Sequence, residues 1–233
     1  MSRTYRGFTF EQIAGAIDHS VLKPNNTQQE IIDACKVAAK FQTASLCIRP
    51  MDVALAAKEL AGSGVPVCTV IGFPHGTTTT ATKVFESVEA IANGATELDM
   101  VLNVSQLVDG YYEEVERDIA SVVAAAEAQA ENVIVKVIFE TALLTSDQIV
   151  KACQLTEAAG ADFVKTSTGF ASAGATVEHI RLMKATVGDR LQVKSSGGVR
   201  TLDQLIDMLE AGADRSGCSA TEAVLAEFEE KAL

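Results

Sequence analysis

Residues 159–170 read A-G-A-D-F-V-K-T-S-T-G-F, and they hold a helix end, a strand and a loop in twelve positions. Gly160 stops a helix, because glycine enters the left-handed region without a steric cost. Asp162-Phe163-Val164-Lys165 is a short run with β propensity, and Thr166-Ser167-Thr168-Gly169 opens a loop. The same joint recurs as A-G-A-D at 211–214, N-G-A-T at 93–96 and G-S-G-V at 62–65. A helix that ends where a strand begins is the hinge of a repeating βα unit.

Working outward, strand-like runs fall at 17–21, 44–48, 65–71, 97–102, 133–139, 162–165, 191–195 and 214–216. Helical patterns fall between and after them, at 27–41, 51–60, 79–93, 111–129, 146–159, 176–187, 201–210 and 221–231. A short extra helix over 9–16, with Thr9 as N-cap, precedes the first strand. The strands read as mostly apolar on both faces. Together these features predict an α/β protein, a (β/α)8 TIM barrel with a short extra N-terminal helix. An open doubly wound sheet is the alternative, although the first strand lacks the glycine-rich turn of a dinucleotide binder.

With 233 residues, 48% of them hydrophobic, and no linker or low-complexity run, residues 1–233 are expected to form a single domain. The net charge of −12 excludes a basic stripe for nucleic acid or a membrane surface, while a small anion can still meet loop amides. No apolar run reaches membrane-spanning length. Five cysteines, odd in number and without a C-x-x-C pair, read as reduced thiols of a cytoplasmic protein. Three scattered histidines give no metal-ligand spacing, so neither a metal nor a cofactor is expected.

Lys165 has a counterpart in Lys194, in L-Q-V-K-S-S-G-G at 191–198, 29 residues further on. If their strands are neighbours, the two amines crowd one another. At about 6 Å and an effective dielectric of about 20, the repulsion is about 2.8 kcal/mol, or about two pKa units. One of the two would then titrate near pH 8 and be about 10% neutral at pH 7, enough for a nucleophile. The bland alternative is a pair of snorkelling strand ends.

Barrel catalysis sits where strands end. Polar residues late in each strand are Asp18, Cys47, Asp99 with Asn103, Lys136 with Glu140, Lys165, Lys194 and Ser216 to Ser219. Asp99 reads either as an ion-pair partner for Lys136 or Lys194, or as a carboxylate relaying protons through water. Two glycine loops, Ser196-Gly197-Gly198-Val199 and Arg215-Ser216-Gly217-Cys218-Ser219-Ala220, precede helices and suit a phosphate. Thr168 and Gly169 join Gly197, Gly198, Gly217, Ser219, Lys136 and Cys47 as candidate substrate or phosphate contacts. His75 reads as a turn residue, and Cys47 as an apolar filler that a nearby lysine would make reactive toward aldehydes.

These motifs together resemble deoxyribose-phosphate aldolase over nearly the whole chain: I-D-H-S-V-L-K-P (17–24), S-L-C-I-R-P (45–50), V-I-G-F-P-H-G (70–76), E-L-D-M-V-L-N (97–103), V-K-V-I-F-E-T (135–141), V-K-T-S-T-G-F (164–170) and V-K-S-S-G-G-V-R (193–200). The resemblance implies a metal-free class I aldolase acting on a small sugar phosphate, often as a homodimer. By it, Lys165 is the Schiff-base lysine, Lys194 the lysine that tunes it, Asp99 the proton-relay acid, and Asp18 a support for Lys194 and a substrate hydroxyl. Two readings stay beside it: another class I aldolase or transaldolase-like enzyme, and a sugar-phosphate sensor whose lysines only neutralise charge.

The chain departs from the family pattern at three places. Cys218 stands where a hydroxyl residue is frequent, which implies weaker phosphate binding. Ser105 replaces a frequent glycine, and the chain ends at Lys231-Ala232-Leu233 without the tyrosine tail of some members.

Overall fold

The computed structural model describes residues 3–233. Eight parallel strands close a barrel: β1 (Ile17–Val21), β2 (Ser45–Ile48), β3 (Val67–Ile71), β4 (Glu97–Val101), β5 (Ile134–Ile138), β6 (Phe163–Lys165), β7 (Gln192–Ser196) and β8 (Arg215–Cys218). Each is hydrogen-bonded to its sequence neighbour, and β8 returns to β1 with Ser216 opposite Ile17 and Gly217 opposite Asp18. The outer ring is α1 (Gln28–Phe41), α2 (Val53–Glu59), α3 (Thr80–Ala92), α4 (Tyr112–Gln129), α5 (Ser146–Ala158), α6 (Val177–Val187), α7 (Leu202–Glu210) and α8 (Thr221–Lys231).

Threonines set where the helices begin. Thr27, Thr145 and Thr201 each accept from the N3 amide while the N3 Glu or Gln reaches back, a reciprocal cap that satisfies two otherwise open donors. α7 then buries Leu202, Leu205 and Ile206 against the sheet, each such side chain contributing about 1.5–3 kcal/mol.

The strands are not apolar on both faces, contrary to expectation. In β4, Leu98 and Met100 point outward into the core shared with the helices, whereas Glu97 and Asp99 point into the barrel and bind Lys136. The same alternation puts Val135 and Val137 outside and Lys136 inside. The apolar core is thus the layer between sheet and helices, and the barrel interior is largely ionic.

The extra N-terminal helix spans Phe10–Ala14, shorter than expected, with Thr9 as its cap and Gly15 as its end. Its Phe10 packs edge-on against Phe228 of α8 at 5.7 Å. Three features lay outside the expectation: an antiparallel hairpin, Thr4–Tyr5 with Phe8–Thr9, a five-residue helix at Val104–Val108 capped by Asn103, and a single 3-10 turn at Thr141–Leu143. The hairpin is tied to the other chain end, Thr4 N donating to Leu233 O at 3.1 Å and Leu233 N to Thr4 O at 3.2 Å. Helices run back toward the strand starts, so this knot lies at the end of the barrel away from Lys165.

Candidate active site

Register brings the charged residues together. Lys165 lies opposite Lys194, Lys194 opposite Arg215, and Asp99 opposite Lys136. In-register parallel partners point to the same face, so all of them enter the barrel. Asp99 is the hub: its Oδ2 accepts from Lys165 Nζ at 2.6 Å and Lys194 Nζ at 2.7 Å, and its Oδ1 from Lys136 Nζ at 3.0 Å. Two nitrogens on one oxygen are no more than about 5 Å apart. Asp18 pairs with Lys194 and, at 3.3 Å, with Arg215. Glu97 binds Lys136 at 2.5 Å and Arg215 at 2.9 Å. Below them the Phe163 ring faces Lys136 Nζ at 5.7 Å and the Arg215 guanidinium at 5.4 Å.

The picture of two bare amines repelling each other therefore needs correction, because a carboxylate oxygen sits between them. What remains is the sum over the cluster. Lys136, Lys165, Lys194 and Arg215 are four cations, and Asp18, Glu97 and Asp99 are three carboxylates, all seven buried or nearly so. An uncompensated charge in such a site is expensive, and the guanidinium cannot release a proton. Lys136 touches three carboxylates and Lys194 two. Lys165 touches Asp99 alone.

The electrostatics of the others fit this division. Burial works against charge on Lys194, but Asp18 and Asp99 outweigh it and hold the ammonium well above the ordinary lysine range. Lys136 is held up in the same way, by Asp99 and then by Cys68, Asp18 and Glu97. Burial pushes the Asp18 carboxyl up, yet Lys194, Lys136 and Arg215 bring it down to about 2. Asp99 is likewise held well below the carboxylate range by Lys136, Lys165 and Lys194 against its burial. The acids all come from β1 and β4, and the bases all from β5 to β8.

A cavity of about 860 Å3 opens over this cluster. Lys165 reaches its wall, together with Thr168 and Gly169 after β6, Gly197 and Gly198 after β7, and Gly217 and Ser219 at the end of β8. The glycines permit close approach: a methyl group on Gly197 would lie 3.0 Å from Gly174 Cα and 3.4 Å from Gly169 Cα. Val199 and Arg200, in the loop before α7, and Ala220, Glu222 and Ala223, at the start of α8, line the same opening.

Several expected contacts lie elsewhere. Lys136 is fully buried below the cavity, spent on Glu97 and Asp99, so it does not meet a ligand there. Cys47 also stays beneath it, 3.9 Å from Asp99 Oδ2. A hydrogen bond with Cys68 lowers the Cys47 pKa, with Lys194 and Lys165 adding to it, against burial and Asp99. Arg215 does not join the phosphate loop, because its position on β8 points inward to Asp18 and Glu97. Ser216 points outward and bonds Ser195 Oγ at 2.9 Å. Cys218, also outward, donates to Val199 O at 3.6 Å and accepts from Ala220 N at 3.3 Å. Its thiol ties the two glycine loops together from behind, and the expected weakening of phosphate binding has no basis there. His75 is exposed, on a smaller cavity of about 520 Å3 that Ser105 also lines.

Glu97 and Cys68 are cluster members that the sequence does not single out, and Arg215 is one that it assigns to a phosphate loop instead. The signal for Glu97 was present, since it stands two residues before Asp99 and must share its face. Cys47, Cys68 and Asp99 place one potential ligand atom each within 4.8 Å of the others. Three ammonium groups already occupy that carboxylate and repel a further cation.

The family described as DeoC/LacD family aldolase matches residues 12–225. A deoxyribose-phosphate aldolase of Bacillus mycoides (strain KBAB4) is 55% identical over 213 residues, 91% of this chain and 94% of the relative. A Coccidioides immitis protein assigned the same name superposes with a TM-score of 0.92 at 41% identity, covering 97% of this chain and 88% of that one. The tetrameric deoxyribose phosphate aldolase of Aeropyrum pernix gives 0.89 at 29% identity, covering 95% and 92%.

Proposed function

Because the chain belongs to the DeoC/LacD family of aldolases, we propose that it cleaves 2-deoxy-D-ribose 5-phosphate reversibly to D-glyceraldehyde 3-phosphate and acetaldehyde, with Lys165 forming the Schiff base. One observation supports the residue assignment above others. Among the members of the charge cluster, Lys165 alone reaches the cavity, and it has a single carboxylate partner. Lys165 is the cluster amine that opens to the cavity and the one held by the fewest carboxylates.

The neutral amine adds to the C1 aldehyde of the open-chain sugar, and loss of water leaves a protonated imine as electron sink. The C3 hydroxyl gives up its proton, the C2–C3 bond breaks, and its electron pair enters the imine as an enamine. We assign that proton to water held beside Lys194 and Asp99. Asp99, kept so far below the carboxylate range, serves as a fixed anion that orients amines and water rather than as a store for the proton. The enamine is then protonated at carbon and hydrolysed, releasing acetaldehyde and Lys165. Asp18 holds Lys194 in place. Thr168 and Gly169, with Gly197, Gly198, Gly217 and Ser219, supply the phosphate end of the cavity.

Residues 1–233 act in this proposal as one unit, on a small sugar phosphate, without nucleic acid, membrane surface or cofactor. No helix among the described residues is long and apolar enough to cross a membrane. Five buried free thiols support a reducing compartment such as the cytoplasm. The tetrameric relative from Aeropyrum pernix supports assembly with further copies of this chain.

Borohydride added with 2-deoxyribose 5-phosphate tests the chemistry. A two-carbon or sugar adduct should map to Lys165, and a map without it, or with label only elsewhere, overturns the assignment.

A further inference from the structure

Glu140 combines two unfavourable features. It is buried, 5% exposed, and it sits at φ 57° and ψ 61°, a conformation that glycine adopts freely and glutamate does not. Among the described residues no cation pairs with its carboxylate. Its partners all belong to Thr168: the Thr168 amide donates to Oε1 at 3.3 Å and Oε2 at 3.4 Å, and the Thr168 hydroxyl donates to Oε2. Phe170 N in turn donates to Thr168 Oγ1 at 3.1 Å. A strained, uncompensated carboxylate aimed at one residue is the kind of outlier from which a functional role can be inferred.

Thr168 begins the stretch of loop that ends in contact with the phosphate loop. Gly169 follows it, and a methyl group built there would lie 3.9 Å from Gly197 Cα. The preceding backbone needs no help from Glu140, since Phe139 N binds Lys165 O at 3.0 Å and Thr141 N binds Thr166 O at 2.9 Å. Lys165 is thus fixed by the ladder, and what the carboxylate adds is control of residues 168–170.

We infer that Glu140 is a positioning residue for phosphate recognition: through Thr168 it sets the seat of Gly169 against Gly197, and so the geometry of the amides that meet the substrate's phosphate. This rests on the assignment of the sugar-phosphate cavity above. Glu140 touches no substrate itself.

The test compares 2-deoxyribose 5-phosphate with unphosphorylated 2-deoxyribose in wild type, Glu140→Gln and Glu140→Gly. Glycine relieves the backbone, so Glu140→Gly should melt no lower than wild type. Its kcat/KM for the phosphorylated sugar should fall about tenfold or more, chiefly through KM, while that for deoxyribose stays within about twofold. Glu140→Gln keeps one acceptor for the hydroxyl and should fall between. Equal losses on both sugars, or a preference for phosphate that survives Glu140→Gly, overturns the inference. A wild-type enzyme with no preference for phosphate overturns the cavity assignment first, and the inference with it. If Glu140→Gly does not fold, Glu140→Gln decides alone: a phosphate preference equal to that of wild type overturns the inference.

Discussion

Lys165 stands opposite Lys194 on the adjacent strand, and both amines donate to the same oxygen of Asp99. The lysines are therefore coupled through an anion, and the charge state of one depends on what else surrounds that anion. Four basic side chains share three carboxylates there.

Lys194→Leu removes the neighbour that shares Asp99 Oδ2 with Lys165. Asp18 loses its shortest ion pair in the same change. We expect kcat to fall by about a hundredfold or more, with borohydride trapping falling in step while the circular dichroism spectrum is retained. Trapping at the wild-type rate would remove the coupling of the two lysines through Asp99.

Lys136→Met should act on activity without touching substrate. It leaves Glu97 and the Oδ1 side of Asp99 without their main cation, which for a buried pair costs about 3–5 kcal/mol. Urea unfolding should register that loss. Turnover should drop as well, because Lys136 holds the Asp99 carboxylate to which Lys165 and Lys194 both donate.

Acid should weaken the fold through Asp18. Its folded pKa of about 2 lies below the unfolded value near 3.9, so the stabilisation is fully present above about pH 4 and is lost as pH falls through about 2. The size is about 2–3 kcal/mol. Urea midpoints measured from pH 5 to pH 2 should fall more steeply for wild type than for Asp18→Asn, and parallel curves would contradict the assignment.

Cys218→Ser should leave KM for the phosphorylated sugar within about twofold, because the thiol faces Val199 O and Ala220 N behind the loops. Ser219→Ala, on the cavity side, should raise it several-fold. The reverse pattern in steady-state kinetics would mean that Cys218 faces the ligand.

Much of this was legible in the chain. The repeated helix-end joints gave the barrel, and matching lysines one βα unit apart gave Lys165 and Lys194. The five-residue helix at Val104–Val108 escaped, since so short an element carries no periodicity. Gly217 and Cys218 read as loop because the last strand-like run stops at 216, two residues short of the end of β8, while Arg215, inside that run, reads with the glycine loop because it adjoins it. Reading K-V-I and E-L-D with period two would have separated inward from outward residues and exposed the ionic interior. Which cation meets which anion depends on register between strands far apart in sequence, as with Arg215 and Asp18, 197 residues apart. Composition cannot supply that.

The division of acids and bases between the strands has a consequence for how the chain matures. Strands β1 to β4 carry every acid of the inner wall and β5 to β8 every base, so either half alone would have to bury like charges with nothing to answer them. Each half is a template for its complement, attracted to it and unable to settle without it. A nascent chain has no dry interior until its last strand arrives, and the event that completes the wall also assembles the nucleophile.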